Sequence, residues 1–393
     1  MLFTKISDLN LARKTVFIRT DMNVPLQDGK ISDVTRIKAG ISTIKYALDN
    51  GAKVIVATHL GRPIEGKCTN EDSVRPIASL LGELINQSIP VINDIDNSID
   101  FTSHNIVMLE NVRCNVGEKA NSQELGKKYA NLCDIYVHDA FATAHRAEAS
   151  TDAIGHYAQI ACAGLLLSQE LEALKQAFDT PKRPVVAIVA GSKVSTKLSV
   201  LNNLADKVDC LIVGGGILNT FLLAGGYNIG SSLAEANLVD EAQQIINKIK
   251  SRGGNVPLPQ DVVTAKEFNQ VAKAIKKPIN MIEADDMILD IGIDFANSLA
   301  KTISSAGTII WNGPPGVFEF DQFANGTKII ANAIANSEGF SLAGGGDTIA
   351  AINKFGLSAK IDYISTAGGA LLEYFEGKKL PAITMLEKHT TNE

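Results

Sequence analysis

The chain has 393 residues, which at roughly 100–200 residues per domain predicts two or three domains. Hydrophobic residues make up 45% and charged residues 20%, as in an ordinary globular protein. The formal net charge of −6 argues against nucleic acid as the main partner, because no global positive field attracts phosphate backbones, although a local basic site stays open.

Cysteine usage and the apolar runs narrow the class further. Five cysteines occur, an odd number without a C-x-x-C pair, so we expect reduced thiols of a cytoplasmic protein rather than a disulfide framework or a thiolate zinc site. The start, MLFTKISDLN, has no basic segment followed by an apolar core, and we expect no signal peptide. No apolar run approaches the roughly 20 residues that span a bilayer, so no membrane partner is expected.

Short apolar, β-branched runs recur along the chain and predict strands. In chain order they are Val16–Ile18, Val54–Ala57, Ile106–Leu109, Ile135–Val137, Val185–Val189, Leu211–Val213, Thr308–Trp311, Phe340–Ala343 and Tyr363–Thr366. Helical spacing lies between most of them, as in Leu165–Phe178 and Leu238–Lys250. The alternation implies βαβ units, and runs that are apolar throughout are typical of parallel strands covered on both faces.

A domain boundary is predicted near the middle of the chain. The predicted helix Leu165–Phe178 is followed by DTPKRP, a charged turn with two prolines, and by a new strand at Val185. Prolines there stop the helix. We therefore predict an α/β protein of two similar-sized Rossmann-like domains with parallel sheets, residues 1–168 and 185–374, joined by a hinge helix and linker over 169–184.

Arginines are concentrated in the first half, where seven of nine precede residue 150. Three follow predicted strands: Arg62 in THLGRP, Arg113 in LENVR and Arg146 in DAFATAHR. Ligands of open α/β sheets bind beyond the carboxyl ends of strands, and guanidinium groups suit carboxylate or phosphate. Any one of them alone would be read as a surface residue, but together with His59 and His145 they predict a polyanion site.

Glycine clusters end five strand-like runs of the second half. They are VAGSK at 189–193, VGGG at 213–216, WNGPPG at 311–316, AGGGDT at 343–348 and TAGG at 366–369. Glycine lets backbone N–H groups approach phosphate oxygens, which predicts a nucleotide pocket. The chain lacks G-x-x-x-x-G-K-[ST], a complete G-x-G-x-x-G and the H-R-D and D-F-G motifs. This excludes a Walker-type P-loop and a protein kinase, and it counts against a dinucleotide-binding dehydrogenase.

Charged residues beside these clusters have two interpretations each. Lys193 and Lys197 would point to one side if a helix starts after Gly191, next to a transferring phosphoryl group, or would form a solvated basic turn. Asp347 is a candidate magnesium ligand or a helix N-cap. Glu319 could accept hydrogen bonds from ribose hydroxyls or be an ordinary exposed carboxylate.

These segments resemble the phosphoglycerate kinase family nearly end to end. The resemblance rests on IRTDMNVPL, THLGRP, LENVR, HDAFATAHR, AGSKVSTK, VGGG followed by NTFL, WNGPPGVFE, AGGGDT and STAGGALLEYFEGKKLP. It implies reversible transfer of the 1-phosphoryl group of 1,3-bisphosphoglycerate to ADP, giving 3-phosphoglycerate and ATP in glycolysis and gluconeogenesis, with Mg²⁺. It also implies a monomer in which residues 375–393 pack back on the N-terminal domain.

The same resemblance implies the site residues. Those for the substrate are Asp21, Met22, Asn23, Arg36, His59, Leu60, Gly61, Arg62, Arg113 and Arg146. Those for the nucleotide are Gly191, Lys193, Lys197, Gly216, Asn312, Pro314, Glu319, Gly345, Gly346, Asp347 and Thr348, with Asp347 as the metal ligand. The groups implied around the moving phosphoryl group are Arg36, Lys193, Lys197, Gly368 and Gly369. Residues that depart from the family pattern are Ala367, in place of a glycine, and Met22, His138, Ala142 and Pro315.

The expected chemistry is direct in-line transfer. The acceptor carboxylate is ionised at neutral pH, so no general base is needed. The protein then contributes to catalysis by positioning the substrates and neutralising the charge of the transferring phosphoryl group. Closure about residues 165–184 would bring Arg36 towards Lys197. The alternatives are another small-molecule carboxylate kinase, which would not need the arginine cluster, and a non-catalytic nucleotide-binding protein, which would not need Arg36, Lys197 and Asp347.

Overall fold

The computed structural model describes residues 3–27 and 29–390. The chain divides into two compact units: unit 1 comprises Met1–Leu171 with Lys379–Glu393, and unit 2 comprises Glu172–Lys378. The sequence places the corresponding boundaries at 168 and 374, and the hinge role of 169–184 stays a prediction. No helix in the described part of the chain combines the length and hydropathy that crossing a bilayer requires.

The strands of unit 1 are β1 (Thr15–Thr20), β2 (Leu26–Gln27), β3 (Lys30–Ile31), β4 (Lys53–Ala57), β5 (Val91–Ile92), β6 (Ile106–Leu109), β7 (Ile135–Asp139) and β8 (Ile160–Ala163). Six of them form a parallel sheet of order β5-β6-β4-β1-β7-β8. The other two, β2 and β3, form a separate short antiparallel hairpin. The helices of unit 1 are α1 (Thr35–Asp49), α2 (Arg75–Ile85), α3 (Gln123–Asn131), α4 (Ile154–Tyr157) and α5 (Leu165–Phe178), which continues into unit 2.

The central strands of unit 1 are buried along almost their whole length, as expected for parallel strands covered on both faces. Val16 and Ile18 of β1 pack with Val54 and Val56 of β4 and with Ile44 of α1 in one core cluster. This core holds the strand ends that carry the arginine-rich segments.

The strands of unit 2 are β9 (Val185–Ala190), β10 (Cys210–Gly214), β11 (Asp261–Ala265), β12 (Ile275–Pro278), β13 (Met287–Ile291), β14 (Thr308–Asn312), β15 (Phe340–Gly344) and β16 (Tyr363–Ser365). They form a five-stranded parallel sheet of order β10-β9-β14-β15-β16 and an antiparallel sheet of order β12-β11-β13. The helices of unit 2 are α6 (Leu198–Ala205), α7 (Gly215–Ala224), α8 (Val239–Ser251), α9 (Ile293–Ser304), α10 (Asn325–Ala335), α11 (Gly346–Lys354) and α12 (Gly369–Phe375).

After unit 2 the chain returns to unit 1 as α13 (Pro381–Thr390). The backbone N–H of Ala382 donates to the Ala144 carbonyl at 3.2 Å, and Met385 and Leu386 are buried. The helix therefore supports the turn that leads to Arg146. Residues 391–393 of the predicted C-terminal segment lie outside the described residues.

The predicted fold class is confirmed, since every predicted strand lies in one of the two parallel sheets. The condition under which Lys193 and Lys197 would share a helix face is not met, because the helix after Gly191 begins at Leu198 and both lysines precede it. One expectation is wrong. Cysteines are not all reduced, because Cys68 and Cys114 form a disulfide. The two cysteines are 46 residues apart in sequence, and the fold brings their Cα atoms within 5.6 Å of each other. No spacing motif in the sequence therefore predicts the disulfide.

Candidate active site

The predicted substrate residues follow four strands that are neighbours in the sheet of unit 1. Asp21 follows β1, His59 follows β4, Arg113 follows β6 and Arg146 follows β7, and the sheet order places these strands side by side. Because the strands are parallel, their carboxyl ends meet at one edge. This edge is the first candidate subsite.

His59 lies at the centre of the positive charge at this edge. Its side chain is buried, and burial is the main cause that holds its pKa well below the usual value, followed by the charges of Arg19, Arg113, Arg146 and, less strongly, Arg36. Arg19 has the strongest of these charge effects, and its Nη2 lies 3.2 Å from Nδ1 of His59. The histidine is therefore neutral, and arginines carry the charge of the site.

A buried polar network of Ser150 and Glu118 contacts Arg19. Its Nε donates to Ser150 Oγ at 2.9 Å, and Ser150 Oγ donates to the Glu118 carboxylate. Burial raises the pKa of Glu118 to about 7, although its hydrogen bonds to Ser150 and the charge of Arg19 oppose the rise. Arg19 is thus a fully buried cation that is linked to the buried carboxyl group of Glu118 through the Ser150 hydroxyl.

The other arginines are held by different partners. Arg113 is buried and donates from Nη1 to the Gly61 carbonyl at 2.9 Å, and its Nη2 lies 3.4 Å from Glu148. Nε of Arg113 has no hydrogen-bond partner within the described residues. Arg36, the second residue of α1, is exposed and binds Asp21 at 2.8 Å. The structure therefore brings these two arginines to the same edge as His59.

Two predicted substrate residues have buried side chains. The side chain of Met22 is fully buried in the core cluster, and its N–H donates to Thr58 Oγ1 at 2.9 Å. Leu60 is also buried, and both its N–H and its carbonyl bind the side chain of Asn111. Their side chains thus pack inside unit 1, and their contact with the substrate stays a prediction.

The remaining predicted residues of this edge lie on the loops themselves. Asn23 is half-buried, and its Oδ1 accepts a hydrogen bond from the Gly61 N–H at 3.0 Å. Arg62 is the exposed residue that follows Gly61, and Arg146 is half-buried. Asn23 thus joins the loop after β1 to the loop after β4.

In unit 2, all five strands of the parallel sheet end at the predicted glycine clusters. Helices begin directly at Gly215, Gly346 and Gly369, so their first N–H groups lie at the same edge of the sheet. Gly191 accepts the N–H of Ile217 at 3.1 Å, and Gly216 is buried, where a Cβ would overlap the Ser192 carbonyl oxygen. These loops form the second candidate subsite.

Lys197 is the half-buried cation of this edge. Its Nζ donates to the carbonyls of Ala190 at 2.6 Å and Asn312 at 3.1 Å, which end β9 and β14. Burial lowers the pKa of Lys197 to about 8, and the charge of Asp347 opposes the shift. The ammonium group is therefore partly desolvated and has no hydrogen bond to a carboxylate in the described residues.

Asn312 and Thr348 hold the loops in place. Nδ2 of Asn312 donates to the Gly344 carbonyl, and Oγ1 of Thr348 accepts the N–H of Gly313, both at 2.8 Å. Gly345 has a φ of +101°, which an L side chain rarely adopts. The side chains of Asn312 and Thr348 are thus bound to backbone groups of neighbouring strand ends.

Asp347 is exposed as the second residue of α11, so it is not the N-cap, which is Gly345. No hydrogen bond or ion pair within the described residues engages its carboxylate. Lys193 is exposed, and its charge acts on Glu235, a different partner from that of Lys197. Asp347 is therefore an exposed acidic group of this edge whose carboxylate has no hydrogen-bond or ion-pair partner among the described residues.

Four predicted residues are exposed or half-buried parts of the loops. Pro314 is half-buried, and Glu319 is exposed with its backbone carbonyl 3.4 Å from Nζ of Lys354. Gly368 is the N-cap of α12 with a φ of +54°, and Gly369 begins that helix. Both glycines are exposed.

The sequence-based reading missed two supporting residues, Arg19 and Asn111. Arg19 lies inside the strand TVFIRT, and a charge within a strand buried on both faces is the signal that could have revealed it. Asn111 binds Leu60, Asp72 and the N–H of Arg113, and it lies in the segment LENVR, of which only Arg113 was selected.

Two features define a class of protein, the α/β phosphotransferases of small molecules. One parallel sheet has guanidinium groups at its edge, and the other has glycine loops and a partly desolvated lysine. The sequence model of the family described as Phosphoglycerate kinase matches residues 6–378. The chain belongs to the phosphoglycerate kinase family, and it is a kinase with a carboxyl group as acceptor.

Solved structures agree with this membership. The chain is similar to phosphoglycerate kinase from Coxiella burnetii, with 49% identity, a TM-score of 0.96 and coverage of 98% of this chain and 99% of that chain. It is also similar to the enzyme from Pyrococcus horikoshii OT3, with 31% identity, a TM-score of 0.78 and coverage of 99% and 100%. The family uses ATP and ADP, generally with Mg²⁺.

Proposed function

We propose that the enzyme transfers the 1-phosphoryl group of 1,3-bisphosphoglycerate to ADP in one direct in-line step, with the phosphoglycerate bound by unit 1 and the nucleotide by unit 2. The observation that carries the proposal is the convergence of Arg19, Arg36, Arg113 and Arg146 on neutral His59. Such a concentration of cations suits a ligand with a phosphate and a carboxylate, and acetate would not need it.

At the edge of unit 1, Arg62, Arg113 and Arg146 bind the 3-phosphate in this proposal. Asp21 and Asn23 face the glycerate part, and the loop they occupy is fixed by Arg36 and by the N–H of Gly61. Arg36 is exposed and bound to Asp21, so it can exchange this partner for the transferring phosphoryl group.

At the edge of unit 2, the backbone of the glycine loops binds the nucleotide phosphates and Lys197 stabilises the transferred group. Because Lys197 is partly desolvated and its Nζ is bound to carbonyl oxygens, its charge is available to an anion. Glu319 would accept hydrogen bonds from ribose, and Gly368 and Gly369 would donate backbone N–H groups.

The acidic residue of this edge fits Mg²⁺. Asp347 offers exposed carboxylate oxygens, and Mg²⁺ commonly uses one carboxylate together with substrate phosphates and waters. The metal would supply neutralisation of phosphate charge when bound. Asp347 also lies close enough to Lys197 for its charge to raise the pKa of that lysine.

The side chains and backbone groups of the protein then have to position the substrates and neutralise the charge of the phosphoryl group, and they do not have to move protons. In the direction that consumes ATP, the nucleophile is a carboxylate that is already ionised, so neutral His59 has no role as a base. Transfer requires that Arg36 and Lys197 act on the same phosphoryl group. We therefore propose closure about residues 165–184, which would also exclude water from the acyl phosphate.

We also propose a cytoplasmic monomer that acts on small molecules and does not bind nucleic acid. The net charge of −6 supports the absence of nucleic acid. Size-exclusion chromatography with light scattering measures the oligomeric state directly.

A coupled assay of ADP formation from ATP and 3-phosphoglycerate with Mg²⁺ tests the proposed function. Turnover with 3-phosphoglycerate and none with acetate is expected, and absence of turnover contradicts the proposal. Arg36→Ala should lower kcat with little change in KM if its contact forms in the transition state. Arg75→Ala, an exposed arginine of the same unit, is the matched control and should leave kcat unchanged.

A further inference from the structure

The disulfide between Cys68 and Cys114 ties together two segments of the proposed phosphoglycerate site. Cys68 follows Arg62 in the loop after β4, and Cys114 directly follows Arg113. We propose that this disulfide is a reversible thiol–disulfide exchange site for dithiol reductants, and that its redox state sets the affinity for the phosphoglycerate. This inference rests on the proposed function of Arg62 and Arg113.

Hydrogen bonds also join the two segments, near the strand ends between Leu60 and Asn111 and further out between the Pro63 carbonyl and Nζ of Lys119. The N–H of Gly66 donates to the Cys114 carbonyl at 2.9 Å, and the Glu65 carboxylate accepts the N–H groups of Gly117 and Lys119. Most residues of 61–70 are exposed, so water competes for the outer hydrogen bonds. The disulfide is the one covalent link that the described residues provide between the two segments.

Loss of that link reaches the site through the Gly61 carbonyl. This carbonyl accepts the hydrogen bond of Arg113 Nη1 at 2.9 Å, which joins the loop of Arg62 to the guanidinium of Arg113. A loop that is free to move must be ordered when the phosphate binds, and the ordering entropy weakens affinity. Reduction should therefore weaken phosphoglycerate binding without changing the nucleotide loops of unit 2.

The disulfide is accessible to a dithiol. Cys68 is exposed and Cys114 half-buried, and both line a cavity of about 560 Å³ together with Thr69, Asn70 and Arg75.

The remaining thiols are poor competitors for a disulfide partner. Cys133, Cys162 and Cys210 are free, and burial raises the pKa of each thiol, that of Cys210 to about 11. They form little thiolate near neutral pH, and thiolate is the reactive species. Exchange chemistry is thus concentrated at the Cys68–Cys114 pair.

The exchange balances as two successive displacements. One thiolate of the dithiol attacks Sγ of exposed Cys68, the S–S bond breaks, and Cys114 leaves as a thiolate that takes up a proton. The second thiolate of the reductant then attacks the mixed disulfide, releases Cys68 as a thiol and leaves the reductant as a cyclic disulfide. Two electrons and two protons pass to the protein, and an organic disulfide reverses the reaction.

The test compares the full-length enzyme in its oxidised form and after reduction with dithiothreitol. Titration of thiols in denaturant should count three before reduction, the free cysteines, and five after it. Reduction should raise KM for 3-phosphoglycerate at least about fivefold, the lower end of ordinary coupling between sites, with KM for ATP unchanged. Five thiols before reduction, or equal KM values in both forms, would overturn the proposal.

Variants separate the pair from other thiols. Cys68→Ser should show the KM of the reduced form under both conditions, whereas Cys133→Ser, a half-buried thiol of the same unit, should keep the full response. A response that persists in Cys68→Ser contradicts the assignment.

Arg62→Ala distinguishes the failure of this inference from failure of the proposed function. A raised KM in Arg62→Ala with no redox effect leaves the site assignment standing and rejects the switch. A redox effect on KM together with an unchanged KM in Arg62→Ala supports the switch and rejects the assignment of Arg62.

Discussion

Arg19 approaches His59 with a guanidinium group that can donate hydrogen bonds but cannot accept them. Nδ1 of His59 must therefore be the acceptor, and the proton of the neutral imidazole resides on Nε2. Burial and the surrounding cations keep the pKa of His59 low, so this tautomer persists across the physiological pH range. His59 thus carries one N–H donor, on Nε2, and Arg19 determines which nitrogen carries it.

Replacement of Arg19 by methionine should destabilise the protein by about 3–5 kcal/mol, because it leaves Glu118 buried without its cation. It should also raise KM for 3-phosphoglycerate, since His59 loses the partner that orients it. Urea unfolding and steady-state kinetics measure the two effects. Arg62→Met is the control: it should change stability by no more than about 0.5 kcal/mol, because Arg62 is exposed. Equal stability of the two variants would contradict the buried role of Arg19.

The pKa of Lys197 predicts an alkaline limit of activity. Burial lowers this pKa from 10.5 to about 8, so the ammonium form is present below pH 8 and is lost as the pH rises through that value. The value of kcat/KM for ATP, which reports the free enzyme, should therefore fall above about pH 8. In Lys197→Arg the residual activity should lose this limb, whereas Lys193→Arg should keep it, because Lys193 is exposed. A limb that remains in Lys197→Arg assigns the titration to another group.

At the scale of elements, the sequence predicts the strands of both parallel sheets well. Strands buried on both faces are continuous apolar runs, and glycine or arginine at their ends marks the edge where ligands bind. Because parallel strands share one edge, residues that are far apart in sequence, such as Asp21 and Arg146, could be expected together before any coordinates were known.

Several strands were not predicted, and three of them, β8, β11 and β13, are buried and largely apolar. β12, IKKP, is exposed at alternate positions, and β5 has two residues, so neither stands out as an apolar segment. α6 begins at Leu198, after the N-cap Lys197, which makes no capping hydrogen bond and whose Nζ instead binds the carbonyls of Ala190 and Asn312. The contact with Asn312 is a tertiary contact that a local pattern does not contain.

The glycine loop before α11 offers a matched pair of substitutions. Gly345→Ala should destabilise the protein by about 1–3 kcal/mol, because φ is +101° and the new Cβ would lie 2.9 Å from Nδ2 of Asn312. Gly346→Ala meets no atom within 4 Å at the first position of the helix, so its stability should stay equal or rise slightly. Thermal unfolding compares them, and a Gly345→Ala variant as stable as Gly346→Ala would refute the strain argument.

For the molecule as a whole, the proposed mechanism predicts compaction on binding of both ligands. Small-angle scattering should show a smaller radius of gyration with 3-phosphoglycerate and a nucleotide together than with either alone, because transfer needs Arg36 and Lys197 at one phosphoryl group. Scattering curves that stay the same with both ligands bound would count against closure.

The return of α13 to unit 1 has a consequence for the order of biosynthesis. Every residue of unit 2 leaves the ribosome before Pro381, so unit 2 is complete while unit 1 still lacks the helix whose Ala382 supports the turn before Arg146. Domains generally fold as units during synthesis. The half proposed to bind the nucleotide therefore has all of its residues synthesised first, while the half proposed to bind the phosphoglycerate reaches its final state only after the last helix has been made.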